Sequence, residues 1–175
     1  MIFRGSQSAS PSETSVACRR MIRKATSEWR AKIFLCLLPF LKNRSCVCGE
    51  IDPQIAAQEY EDQLTAIATE SGQPIYQHDL ILLGLGDDGH TASLFPGTAA
   101  LDEMTRRVVA NFVPKLNAWR LTFTFPLINH ARHILFLVGA SKSPQLIERV
   151  LAGDQQFPAA RVNPSAGELT WMIAE

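Results

Sequence analysis

Residues 84–97 read GLGDDGHTASLFPG and set one imidazole, His90, among the glycines Gly84, Gly86 and Gly89 and the carboxylates Asp87 and Asp88. His90 is the side chain here that titrates near neutral pH, which makes it the natural general base. Asp87 and Asp88 stand close enough in sequence to orient its ring. Glycine permits positive φ and lets backbone N–H groups approach a ligand with no Cβ in the way. Proton abstraction beside an anion-receiving backbone is the chemistry these residues could perform. Spacing alone leaves a second reading open, in which Asp88 caps a helix N-terminus and His90 is merely tolerated. The glycines are not a dinucleotide fingerprint, because the third glycine is missing at the required offset.

Such a turn needs a strand to carry it. The apolar run from Leu80 to Leu85 ends at these glycines and fits a strand covered on both faces. Ahead of it, Asp52 can cap a helix, Pro53 suits the first turn, and Ala56, Tyr60, Leu64 and Ile67 repeat at helical spacing until Ser71-Gly72. Further on, the alternation from Leu121 to Phe125 predicts a half-buried strand. Ile134 to Val138 predicts a fully apolar strand closed by Gly139. Ser143-Pro144 opens a helix with Leu146, Ile147, Val150 and Leu151 on its apolar side, ended by Gly153. Leu169 to Ile173 reads as a last strand. This alternation implies an α/β fold: an open, largely parallel, Rossmann-like sheet with helices on both faces. Ligands of such sheets sit beyond the carboxyl ends of the strands, where the glycine turn lies.

Composition narrows the classes. With 175 residues, 46% of them hydrophobic, the chain can bury one sizeable core. Its zero net charge gives no electrostatic case for nucleic acid or membrane partners. Charge is uneven, however. Residues 1–50 hold nine Lys/Arg against three Asp/Glu, while residues 51–175 hold eight against fourteen. The break divides an atypical segment, 1–48, from an α/β domain, 49–175. Ile33 to Leu41 is too short for a membrane span of about 20 residues, and Pro39 interrupts it. With no signal-like N-terminus, the chain reads as soluble and cytoplasmic, with reduced thiols. Cys18, Cys36, Cys46 and Cys48 all lie in the first segment. Cys46 and Cys48 lack a second Cys or His pair at zinc spacing, so they read as free thiols. His78 precedes a strand, and His130 and His133 flank a helix-to-strand connection with no metal-ligand pattern. Trp119 and Trp171 read as packing residues.

GLGDDGHTASLFPG resembles the signature of the 6-phosphogluconolactonases, which share a fold superfamily with the glucosamine-6-phosphate deaminases. The likeness continues through WRLTFTFPLINHARHILFLVGASK at 119–142 and GELTWMI at 167–173. The resemblance implies hydrolysis of 6-phospho-D-glucono-1,5-lactone in the oxidative pentose phosphate pathway. It implies a phosphosugar lactone as partner and no metal or organic cofactor; the sequence does not reveal the oligomeric state, for which a monomer is the leading expectation. On this resemblance His90 activates water and Arg120 and Lys142 hold the phosphate; by residue type the amides of Gly86 and Gly89 suit the oxyanion, and Asp88 is the catalytic partner that orients the His90 ring. Arginine suits a bidentate grip and lysine a point charge.

The deaminase branch carries an Asn-Glu pair after its histidine. Thr91 to Phe95 contains no acid, which favours the lactonase. A catalytically impaired remnant is the other alternative, because the family's early Gly-rich phosphate turn has no counterpart before residue 49. There, RMIRKA at 20–25 matches in isolation, and the remainder reads as truncated or frame-disturbed.

Overall fold

A computed structural model of the chain describes residues 52–174. The first helix, α1 (Pro53–Glu70), begins where the Asp52 carboxylate accepts hydrogen bonds from the N–H groups of Gln54 at 2.9 Å and Ile55 at 3.2 Å. These two donors have no partner within the helix, so the cap stabilises its start. Ala56, Ala57, Tyr60, Leu64 and Ala68 form the buried stripe, three and four residues apart. Ile67, expected on that stripe, is only half-buried.

Three strands form a parallel sheet in the order β1 (Ile81–Gly84), β4 (His133–Val138), β5 (Glu168–Ile173). Ile81 pairs with Ile134, and Phe136 with Trp171. The parallel α/β expectation therefore holds. Among the described residues burial along β1 alternates, with Ile81 and Leu83 buried and Leu82 half-buried. On β4 and β5 the same alternation buries Ile134 and Phe136 while Leu137 and Met172 stay exposed. Among the described residues the sheet packs through one face.

Between β1 and β4 the chain makes an antiparallel hairpin of β2 (Val108–Val113) and β3 (Ala118–Phe123). The expected strand from Leu121 to Phe125 is thus shifted. It starts at Ala118 and stops at Phe123, and Phe125 opens a short helix, α2 (Phe125–Ile128), with Pro126 in its first turn. Proline has no N–H for a ladder, so pairing ends there. Strand β2 was not anticipated, because VVANFV places Asn111 where alternation asks for an apolar residue. Asn111 is nevertheless buried, its amide donating to the Ser93 carbonyl and to Thr98 Oγ1, both at 2.9 Å. Asn117 turns the hairpin at φ 46°, a left-handed conformation asparagine tolerates.

Helix α1 packs on this hairpin. Glu61 clamps it, accepting the N–H groups of Arg107 at 2.7 Å and Val108 at 2.6 Å. The last helix, α3 (Pro144–Leu151), buries Leu146 and Val150; Leu151, expected on the apolar side, faces solvent. Trp171 stacks on Phe136 at 3.8 Å, a packing role as expected. Trp119 instead lies half exposed against Phe112 on the hairpin.

Candidate active site

The loop after β1 is built around its glycines. The Gly89 N–H donates to the Gly86 carbonyl at 3.0 Å, and the Gly86 N–H to the His90 carbonyl at 2.9 Å. Gly89 has φ 75°, and a Cβ there would run into the Phe157 ring. At Gly86 a Cβ would overlap the imidazole of His90 itself. These two glycines therefore shape the turn and make room for His90. Their amides do not match the expected oxyanion role, since both already donate inside the loop. Asp87 and Asp88 occupy the centre of the turn, and among the described residues their N–H groups meet no acceptor.

His90 is held on two sides. Its Nδ1 lies 2.5 Å from Asp88 Oδ1, and its ring stacks on Phe95 with centroids 3.9 Å apart. Asp88 also accepts the His90 backbone N–H at 3.3 Å, but no helix starts at this loop, so the helix-cap alternative does not hold. With Nδ1–H donating to the carboxylate, Nε2 carries the lone pair that can take a proton. Thr91, fully buried, donates its hydroxyl to the Gly84 carbonyl at 2.9 Å and locks the loop to the strand end.

Partial burial of Asp88 works to raise its pKa. The hydrogen bonds from Lys115 and His90 outweigh burial and hold the carboxyl well below the usual carboxylate range. Lys115 Nζ lies 2.8 Å from Asp88 Oδ2, the oxygen the imidazole leaves free. Sequence reasoning missed Lys115. It sits in the turn of a hairpin whose first strand was itself unread, and 27 positions separate it from Asp88.

Lys142 lies in the turn after β4, with Nζ 2.5 Å from Asp87 Oδ1. That contact holds Asp87 below its ordinary value. A cleft of about 530 Å³ beside β1 is lined by Gly86, Asp87, His90 and Lys142 together with Leu82, Ala92 and Phe123. His90, Asp88, Gly86, Gly89 and Lys142 are thus brought together. Arg120 does not line this cleft. It is exposed on β3 opposite Asn111, on the hairpin face that meets the loop at Ser93 through Asn111 and Thr122. Among the described residues no group of His, Cys, Asp and Glu is arranged to hold a metal ion, and no helix is long and apolar enough to cross a membrane.

His78 is buried (1% exposed) beside Tyr76 and Phe123 and does not line the cleft. His133 opens β4 and forms an exposed pair with Glu168 at 3.3 Å. The cysteines and the 1–48 segment lie outside the described residues.

Comparison with known proteins shows the family of the chain. The profile of the family described as glucosamine-6-phosphate isomerases/6-phosphogluconolactonase matches residues 15–171, beginning well ahead of Gly49. The chain is 50% identical over 127 residues to a 6-phosphogluconolactonase of Synechocystis, covering 70% of this chain and 51% of that protein. It is 43% identical over 98 residues to one from Chlamydia muridarum, covering 55% and 38%. The chain spans about half the length of the curated relatives it matches, or less. The three-dimensional structure of 6-phosphogluconolactonase from Trypanosoma brucei superposes with a TM-score of 0.59 at 28% identity, covering 75% of this chain and 54% of that one. The Trypanosoma cruzi enzyme gives 0.55 at 30% identity, covering 71% and 52%. With the family profile matching most of its length, the chain belongs to the glucosamine-6-phosphate isomerase/6-phosphogluconolactonase family.

Proposed function

We propose that this chain carries the catalytic centre of a lactonase that hydrolyses 6-phospho-D-glucono-1,5-lactone to 6-phosphogluconate. The observation that carries the reading is the contact between Asp88 and His90 at the end of β1, on a cleft shared with Lys142. The lactonase names of the relatives support it, as does the absence of an acid between Thr91 and Phe95.

In the proposed reaction Nε2 of His90 takes a proton from water as the oxygen attacks the lactone carbonyl. Charge develops on that carbonyl oxygen, and the N–H groups of Asp87 and Asp88 are the donors of the turn available to it. The tetrahedral intermediate then collapses. The ring C–O bond breaks, and the departing sugar hydroxyl takes the proton back from the imidazolium, which regenerates neutral His90. Asp88 keeps its charge throughout and holds the ring in the productive tautomer. Lys142, and Arg120 from the hairpin, hold the phosphate at the far end of the sugar. No organic cofactor enters these steps. In this reading the protein works as a cytoplasmic monomer of the oxidative pentose phosphate pathway.

Two assays on the same preparation test the proposal. Acid release from the phosphorylated lactone, followed with a pH indicator, is expected to exceed the spontaneous rate. Ammonia release from glucosamine 6-phosphate is expected to stay at background. The reverse pattern would assign the chain to the deaminase branch, and background in both would make it an inactive relative.

A further inference from the structure

A carboxylate against an imidazole solves one problem and creates another. It fixes the ring, but an unbalanced negative charge at 2.5 Å also favours the protonated imidazolium, which is no base. The structure places a cation where it offsets this. Lys115, from the turn between β2 and β3, sets its ammonium 2.8 Å from Asp88 Oδ2, while His90 uses Oδ1. The carboxylate is thereby gripped at both oxygens by groups from two different elements, which leaves it one orientation.

We propose that Lys115 is a positioning residue for His90, acting through Asp88: it fixes the carboxylate and offsets its charge, so that the imidazole is oriented yet free to accept a proton. This rests on the reading of His90 as the base. The charged groups around Asp88 are few among the described residues. Lys115 faces it from the hairpin and His90 from its own loop. Neighbouring Asp87 is taken up by Lys142 from the turn after β4. The other face of the ring meets the uncharged Phe95. Lys115 is two-thirds exposed, so its influence is screened and its effect modest.

The test uses the whole chain, with Lys115→Met and Lys115→Arg. The ring nitrogens of His90, assigned by comparison with His90→Asn, are followed by ¹⁵N NMR across a pH titration. Lys115→Met is expected to move the midpoint to higher pH, and Lys115→Arg to restore it. The acidic limb of kcat/KM for the phosphorylated lactone is expected to move in the same direction, with KM changed less than about two-fold. A Lys115→Met chain whose ring titration matches the parent would overturn the proposal, even with turnover intact. A ring titration that moves as expected in a chain without turnover would sustain the positioning role while ending the lactonase reading.

Discussion

Lys142 Nζ lies 2.5 Å from Asp87 Oδ1, although 55 positions separate the two residues. The pair ties the loop after β1 to the turn after β4, at the carboxyl ends of two neighbouring parallel strands. Lys142 is the more buried partner, and Asp87 is almost fully exposed. In the proposed function, the cation assigned to the substrate phosphate is therefore held in the cleft by a carboxylate that the phosphate must share or displace.

Replacing that carboxylate tests the competition. Asp87→Asn keeps the side-chain size and removes the charge that opposes a phosphate. Because an exposed ion pair is weak, the expected gain is small, about two- to five-fold in KM for the phosphorylated lactone. An unphosphorylated lactone should show no change. A rise in KM for the phosphorylated substrate would mean that Asp87 positions Lys142 instead of competing for it.

The two basic residues should separate phosphate binding from catalysis. Lys142→Ala and Arg120→Ala are each expected to raise KM for the phosphorylated lactone about ten-fold or more, the worth of one charge-assisted hydrogen bond. Turnover of an unphosphorylated lactone should be nearly unchanged. Equal losses on both substrates would indicate a structural role. Arg120 is the more exacting case, because it stands exposed on the hairpin and does not line the cleft.

Gly84, which ends β1, and Gly86, in the loop after it, should respond to different degrees. At Gly86 a Cβ would overlap the His90 ring, whereas at Gly84 it would meet open space. Gly86→Ala is expected to push the imidazole off Asp88 and lower kcat toward the level of a His90 variant, while the far-ultraviolet circular dichroism is retained. Gly84→Ala should cost less than about three-fold in kcat. Similar kcat values for the two variants would contradict the account of how the turn seats its histidine.

Acid should destabilise the fold through His78. Burial lowers its pKa from 6.5 to about 4. Unfolded chains take up this proton near pH 6.5, and the folded chain only near pH 4. Stability from the neutral imidazole is therefore complete above about pH 6.5 and is lost as the pH falls toward 4, by up to about 3 kcal/mol. Urea midpoints at pH 7 and pH 4.5 measure it. Equal midpoints would show that His78 titrates in the folded chain as it does in the unfolded one.

How much of this was legible in the sequence depended on whether the signal was local. Asp52, Pro53 and the helical repeat announce α1 because capping and burial act within one helix. Ile134 to Val138 announces β4 because a central strand must be apolar. By contrast, β2 takes its identity from β3, and the hydrogen bonds that make Asn111 tolerable come from Ser93 and Thr98. Leu121 to Phe125 alternates as a strand should, yet Pro126 ends the ladder early. In the site, Asp88 and His90 were readable as near neighbours in a glycine turn. Lys115 was not, because its role depends on a hairpin folding back over 27 residues. The amides of Gly86 and Gly89 were suggested by residue type, which does not reveal that the turn's own hydrogen bonds occupy them.

The central claim is that His90 activates the attacking water, and kcat of His90→Asn on the phosphorylated lactone tests it most directly. Asparagine retains a polar side chain of similar reach without a basic nitrogen. The account predicts a fall of roughly 10²–10⁴-fold in kcat, with far-ultraviolet circular dichroism and the urea midpoint at pH 7 unchanged. A variant that turns over within about two-fold of the parent chain would contradict it.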